Sequence, residues 1–395
     1  AYLPRKWDTR RMTPLDVRAP SLEELRTHRS EKWREYPVDV LPLPVAEMDF
    51  PVATPIRALL SDMVAHSDLG YLGPVPELPN SFAKFAQSRW NWKVDVEQIH
   101  LATDVGVGVV EVLRLFTMPG DTVVVNSPVY HNFFTWINET HLEKVDVPFI
   151  EQESGWFIDF TALEEAYKKG AKVHLLCNPH NPLGRVFSKE ELSRISKLAH
   201  EYSVVVISDE IHAPLTYSES TFFPFLSLGP EAESVGIAVT AASKAWNIAG
   251  LKCAFVISQS EAMDSVLQRL PKALHYRASL LGAFASAVAY EEGEEWLDAV
   301  ISTLDSNRHY LAELLAAKIP QIKYRIPQNS YLAWLDMSDL NLGANPSIVL
   351  LNQGKVALNS GGSFGPHTSQ FVRLNFATSH SLLDEAVNRM VVAIS

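Results

Sequence analysis

Two cysteines, Cys177 and Cys253, are all that the 395 residues contain, which excludes a disulfide-stapled scaffold. Both sit in apolar runs, the usual setting of buried reduced thiols, and this fits a reducing, cytoplasmic compartment. No apolar run approaches the ~18 residues that a membrane helix needs. The N-terminal Ala1-Tyr2-Leu3-Pro4-Arg5-Lys6 lacks the apolar core of a secretion signal. Basic residues are also in deficit: 34 Lys and Arg stand against 46 Asp and Glu, a net charge of −12. A broad nucleic-acid-binding face is therefore not expected, although a small basic pocket for an anionic ligand is compatible with the balance. Internal repeats and low-complexity tracts are lacking too.

What is present reads as an ordinary globular chain, 47% hydrophobic and 20% charged, long enough for about two or three domains. The first 40 residues are polar. Ser21 with Glu24 forms an S-x-x-E capping box and predicts a helix from Ser21 to about Lys32. The middle alternates between strand and helix patterns. Val105 to Phe116 carries apolar residues at helical spacing, and Pro119-Gly120-Asp121 turns into the β-branched run Thr122 to Val125. Val173–Cys177, Ser203–Ser208, Gly236–Val239 and Ala254–Ile257 are further strand candidates. Ser188 with Glu191 is a second capping box. Short apolar strands alternating with helices predict an α/β fold, a mostly parallel sheet covered on both faces, with ligands at the carboxyl ends of its strands. Glu291 to Lys318 reads as a long helix that Ser306-Asn307-Arg308 either interrupts or leaves exposed. Strand-like runs at 331–335 and 371–376 follow. The change of texture predicts an N-terminal segment 1–50, a large domain 51–290 and a smaller α+β domain 291–395, with the first packing on the last.

Several residues could carry chemistry. Ser243-Lys244 follows a strand candidate. The lysine there is either a Schiff-base nucleophile or a solvated surface residue. Asp209 closes the Val204–Ser208 run, as a ligand-facing acid or a helix cap. Asn178-Pro179-His180-Asn181-Pro182-Leu183-Gly184 forces an irregular loop after another strand. His174, Cys177 and His180 lack the geometry of a zinc site, because residues three apart in a strand point to opposite faces. Gly106-Val107-Gly108 opens a helix, but Glu111 spoils the dinucleotide fingerprint. Such a helix start can still bind one phosphate through backbone N–H groups. Arg373 stands alone in an apolar strand and needs an anionic partner, internal or on a substrate.

In order, these segments resemble the fold-type I enzymes of pyridoxal 5′-phosphate (PLP), and most closely the cystathionine β-lyase-like, cysteine-conjugate C–S lyase branch of the class I/II aminotransferases. The resemblance spans nearly the whole chain. It is carried by Lys32-Trp33, Tyr36-Pro37, Ala46-Glu47-Met48-Asp49-Phe50, Gly70-Tyr71, Pro119-Gly120-Asp121, Pro128-Val129-Tyr130, the 178–184 loop, Asp209-Glu210-Ile211-His212, Ser243-Lys244, Asn247, Gly250-Leu251 and Arg373-Leu374-Asn375. It implies that Lys244 holds PLP as a Schiff base and later serves as the base at Cα. Asp209 would pair with the pyridine nitrogen, Asn181 with the ring O3′, and Tyr130 would stack on the ring. Val105 and Gly106 would offer backbone N–H groups, and Ser243 its hydroxyl, to the phosphate. His212 would stand beside the cofactor, where many aminotransferases direct a Tyr at O3′. Tyr71 would reach the neighbouring subunit's phosphate, so a homodimer is implied. Arg373 would clamp the substrate carboxylate, with Ala46 and Ser330 on the substrate side.

Some positions depart from the family pattern: Ala241 and Lys252 stand where many relatives place a phosphate-binding Ser or Thr and Arg, and Asp104 brings an acid into the phosphate loop. Pro44 and Glu47 also differ from the branch. The implied reaction is β-elimination from a cysteine S-conjugate or cystathionine, giving thiol, pyruvate and ammonia. Alternatives are transamination, or decarboxylation or oxidative deamination of an S-cysteinyl conjugate. A PLP-fold protein acting only as a regulatory binding partner would not need Lys244, Asp209 and Arg373 together.

Overall fold

The structure is a computed structural model that describes residues 17–395; the first 16 residues of the expected N-terminal segment lie outside the described residues. Its centre is a sheet of seven strands: β1 (Ile99–Ala102), β2 (Thr122–Val125), β3 (Glu143–Asp146), β4 (Val173–Cys177), β5 (Val205–Asp209), β6 (Gly236–Thr240) and β7 (Ala254–Ile257). The spatial order is β1-β7-β6-β5-β4-β2-β3. Only β7 runs against its neighbours.

Continuous burial of β4 and β6 requires cover on both faces. Alternation along each strand supplies it. Val124, Leu176, Val206 and Ala238 enter one core, while Val123, Leu175, Ile207 and Ile237 enter the other. The helix Lys189–Tyr202 covers the first face with Leu192 and Ile195. The helix Val105–Phe116 covers the second with Val109, Val112 and Leu113. The box at Ser188 and Glu191 forms reciprocally, satisfying two free N–H groups at once.

A second, four-stranded antiparallel sheet comprises β8 (Lys323–Tyr324), β9 (Leu332–Asp336), β10 (Asn359–Ser360) and β11 (Phe371–Asn375), ordered β8-β9-β11-β10. The helices Glu294–Lys318 and His380–Ile394 pack together beside it. Residues Leu41–Pro42 pair in parallel with Val356–Ala357, which ties the early chain to the late one. Among the described residues no helix is long and apolar enough to cross a membrane, and both cysteines are free and buried.

Two expectations fail locally. The helix expected over Ser21–Lys32 is two short helices, Leu22–Leu25 and Glu31–Arg34. Lys32 belongs to the second, where its amine is drawn into the core by Asp49 at 2.7 Å. Ser306-Asn307-Arg308 does not break the long helix, and of the three only Ser306 is exposed. Asn307 and Arg308 are buried. The Asn307 amide donates to Phe376 O and Thr378 O, both at 2.8 Å, and Arg308 donates to Pro327 O at 2.6 Å. These polar side chains serve distant backbone carbonyls, which helical periodicity does not register.

Candidate active site

The carboxyl ends of the parallel strands converge, as an open α/β sheet requires of its ligand site. Asp209 is the last residue of β5, opposite Cys177 of β4 and Val239 of β6. Lys244 lies in the turns just after β6, and Asn181 in the loop after β4. The helix starting at Val105 follows β1, and Tyr130 follows β2.

Lys244 is partly buried, and its Nζ donates to Ala46 O at 2.9 Å. Burial, reinforced by the nearby charge of Arg373, brings its amine down to about 8. The segment carrying Ala46 is held residue by residue. Arg373 Nη2 donates to Pro44 O at 3.0 Å, and Asn375 Nδ2 to Val45 O at 2.7 Å and Glu47 O at 2.6 Å. Tyr331 Oη donates to Ala46 O at 2.9 Å. Asn247 accepts from Met48 N and donates to Met48 O, both at 2.9 Å. Asp49 is fixed by Lys32 at 2.7 Å and by the Trp33 indole at 3.2 Å.

Arg373 projects from β11 and is 3% exposed. Its partners are neutral: Asn181 Oδ1 at 3.1 Å, Asn359 Oδ1 at 2.7 Å and Pro44 O. It forms no ion pair among the described residues, and its Nε has no acceptor. Burial holds the guanidinium down to about 10. The Phe364 ring lies 5.0 Å from it. A buried cation without an internal anion is costly and calls for an external one. Asn359 and Phe364 escaped sequence reasoning, because an isolated Asn and Phe in a Gly- and Ser-rich stretch carry no motif.

Asp209 is buried and accepts one backbone bond, from Ile211 N at 3.1 Å. Burial pushes its carboxyl up to about 7, against the opposing pull of Ile211 and Lys244. Neighbouring Glu210 is pushed up to about 8 by burial, but its Oε1 is engaged by Ser208 at 2.9 Å and Phe225 N at 2.8 Å. Asp209 thus accepts one such bond where Glu210 accepts two. His212 is buried and held down to about 3, by burial first, and its Nδ1 has no partner. Tyr130 Oη accepts from Asn132 at 2.7 Å. Ser330 is buried at φ 71°, its hydroxyl unpartnered.

At the start of the Val105–Phe116 helix, Asp104 is the N-cap, its Oδ1 accepting from Val107 N at 2.9 Å. The N–H groups of Val105 and Gly106 find no acceptor among the described residues. A Cβ on Gly106 would stand 2.9 Å from Trp136 Nε1, so glycine is needed for close approach. Lys252 pairs with Asp104 Oδ2 at 3.0 Å, and the Thr240 hydroxyl goes to Glu210 O at 3.3 Å. Ser243 is partly buried beside Lys244. Tyr71 is 93% exposed, and within one chain no hydrogen bond or ring contact joins it to this cluster. His174 and His180 spend their ring nitrogens on Tyr167, Asn126, Pro128 O and Cys177 O.

The chain as a whole is similar to known proteins. The model of the aminotransferase class I and II family fits residues 39–390. A Mycobacterium tuberculosis protein provisionally named a cystathionine β-lyase is 39% identical, covering 96% of this chain and 98% of its own length. The cystathionine β-lyase of Corynebacterium glutamicum is 36% identical, covering 95% of this chain and 99% of that enzyme. Among solved structures, a Corynebacterium diphtheriae protein provisionally named a PLP-dependent β-cystathionase superposes with a TM-score of 0.91 at 36% identity, covering 96% and 99% of the two chains. With a family model spanning most of its length and such relatives along it, the chain belongs to the class I and II aminotransferase family.

Proposed function

We propose that the chain is a PLP-dependent carbon–sulfur β-lyase that cleaves cysteine S-conjugates or cystathionine to thiol, pyruvate and ammonia. The observation that carries this reading is Arg373, a buried guanidinium with only neutral partners, set near an amine of lowered basicity. That pair suits an amino-acid substrate, its carboxylate on Arg373 and its Cα toward Lys244. The relatives named cystathionine β-lyase support elimination over transamination.

The unused polar groups fit PLP by their chemistry. Lys244 would hold it covalently, Asp209 would face its ring nitrogen, and the Asn181 amide its ring oxygen. Tyr130 would cover the ring, with His212 alongside. Val105 N, Gly106 N and the Ser243 hydroxyl would take the phosphate. Bound there, the cofactor supplies an electron sink for the pair left when a bond at Cα breaks.

The protein's own groups do the rest. Asp209 is kept from solvent, so a cationic nitrogen beside it would hold it ionised. Arg373 would bind the carboxylate by its charge and by N–H groups still open, its Nε among them. The Lys244 amine is partly unprotonated near neutral pH and can take the Cα proton. Ala46 O gives that amine a fixed direction. A thiolate is a good leaving group, so position matters more than acid assistance.

The chain is further proposed to work as a homodimer, with exposed Tyr71 reaching the partner's phosphate, and to divide at about residues 50 and 290. The test is product analysis by mass spectrometry with cystathionine and S-alkyl cysteines. Pyruvate, ammonia and free thiol without any 2-oxo acid are expected. Product only with an added 2-oxo acid would make it an aminotransferase. Loss of carbon dioxide with the thioether intact would also overturn the reading.

A further inference from the structure

The carboxylate of Asp104 has two tasks at once. One oxygen caps the Val105–Phe116 helix through Val107 N at 2.9 Å, and the other meets Lys252 Nζ at 3.0 Å. Lys252 is held by its backbone: it sits at φ 54° after the Ala249–Leu251 turn, and its carbonyl accepts from Ser279 N at 3.0 Å. The two charges therefore stand at the mouth of the two N–H groups, Val105 and Gly106, that lack acceptors.

We propose that the Asp104–Lys252 pair sets how firmly the chain retains the cofactor's phosphate, with Asp104 as a built-in counter-charge that weakens the hold. The inference rests on the PLP reading above. A helix N-terminus favours an anion, but an acidic N-cap already consumes part of that field. A phosphate dianion placed there meets a carboxylate of the same sign. Lys252 cancels that carboxylate, and it is a point charge that can be shared between two anions rather than a fork committed to one. The pair brings no net charge to the seat. Both side chains are partly exposed, 54% for Lys252 and 38% for Asp104, so the effect is screened by salt.

The ordering of variants follows from charge alone. Asp104→Asn keeps a good cap and leaves one net positive charge. Lys252→Gln leaves one net negative charge. The double variant is neutral again, as in the parent. PLP release from the diluted holoenzyme, followed by cofactor fluorescence, should be slowest in Asp104→Asn and fastest in Lys252→Gln, each about fivefold from the parent. The double variant should release near the parent rate. At about 1 M salt the spread should collapse.

Release from Asp104→Asn at the parent rate or faster would overturn the proposal, as would a double variant that behaves like Lys252→Gln. Should Asp104→Asn melt well below the parent, Asp104→Ser, another neutral cap, takes its place in the same ordering. Borohydride trapping separates this inference from the reading beneath it. If the parent chain gains no PLP mass at Lys244, both fall. If it gains that mass and the release order is wrong, only this one falls.

Discussion

Lys244 and Ala46 meet at 2.9 Å across 198 positions of sequence. The same carbonyl takes the Tyr331 hydroxyl at 2.9 Å, so both of its lone pairs are spent. The amine of the candidate nucleophile is thus aimed by a carbonyl that cannot swing away without breaking two bonds. Several outcomes follow from this arrangement and the charges around it.

Lys244→Ala should lower turnover by at least about a thousandfold, the scale expected when a covalent nucleophile and base is lost. Borohydride should then leave no cofactor mass on the chain. Near-normal turnover would refute the assignment of Lys244.

The cofactor-free chain should show a lysine that titrates far below the ordinary value of 10.5, because burial and then Arg373 bring Lys244 down to about 8. An amine reacts when unprotonated, so the rate of aldehyde trapping at Lys244 should rise with pH and level off above about 8. Peptide mapping after trapping at several pH values measures it. A rate still climbing steeply at pH 10 would contradict the burial argument.

Arg373→Ala should cost about 3 kcal/mol in kcat/KM, roughly a hundredfold, as for a truncated buried charge contact. Asn359→Ala should cost less, since it removes one neutral acceptor of the same guanidinium. Steady-state kinetics with a cysteine S-conjugate would decide. An unchanged value for Arg373→Ala would mean that the guanidinium only braces Pro44 and Asn181.

Asp209 and Glu210 hold their protons more firmly when folded, at about 7 and about 8 against ordinary values of 3.8 and 4.5. Stability therefore falls as pH rises across that interval, since the folded form binds more protons there. In the cofactor-free chain, Asp209→Asn should raise the melting temperature at pH 8 by about 2–4 °C and leave it nearly unchanged at pH 4. The same variant should lose most activity. Lower stability at pH 8 would show that the Asp209 charge is compensated internally.

Gly106→Ala sets a methyl 2.9 Å from Trp136 Nε1. The indole is buried and packs on Phe133 at 5.1 Å and near Tyr130 at 6.2 Å. Overpacking should cost about 1–3 kcal/mol, against at most ~1 kcal/mol gained in helix propensity. Urea unfolding should show a net loss, and a gain would mean that the indole yields freely.

Five of the seven strands of the large sheet were legible because β-branched apolar runs such as Thr122–Val125 and Gly236–Val239 can hardly be anything else once helices alternate with them, whereas Ile99–Ala102 and the polar Glu143–Asp146 carry no such run and were missed. Asp209, Lys244 and Asn181 were picked out because they stand at or within a few residues of the ends of such runs, where the structure also places them. The bracing was not. Tyr331, Asn247 and Asn375 bond to the 45–48 backbone from positions 199 to 330 residues away, and local pattern carries no record of such partners. The helix at Ser21 was overextended because a capping box fixes a start and says nothing of the end. Lys252, marked as a departure from the phosphate pattern, turned out to be half of a pair with Asp104, a relation visible only in space.

The braced segment at 44–49 also orders events in time. A chain leaving the ribosome exposes Asp209 and Lys244 well before Tyr331, Arg373 and Asn375 exist to fasten that segment. Contacts this distant are closed last, since loop entropy must be overcome first. Until then Lys244 has neither its aiming carbonyl nor Arg373 nearby, and it remains an ordinary lysine. A chain cut short before the second sheet would lack Tyr331, Arg373 and Asn375, and with them the contacts that hold the 44–47 backbone and the charge that helps lower the Lys244 amine.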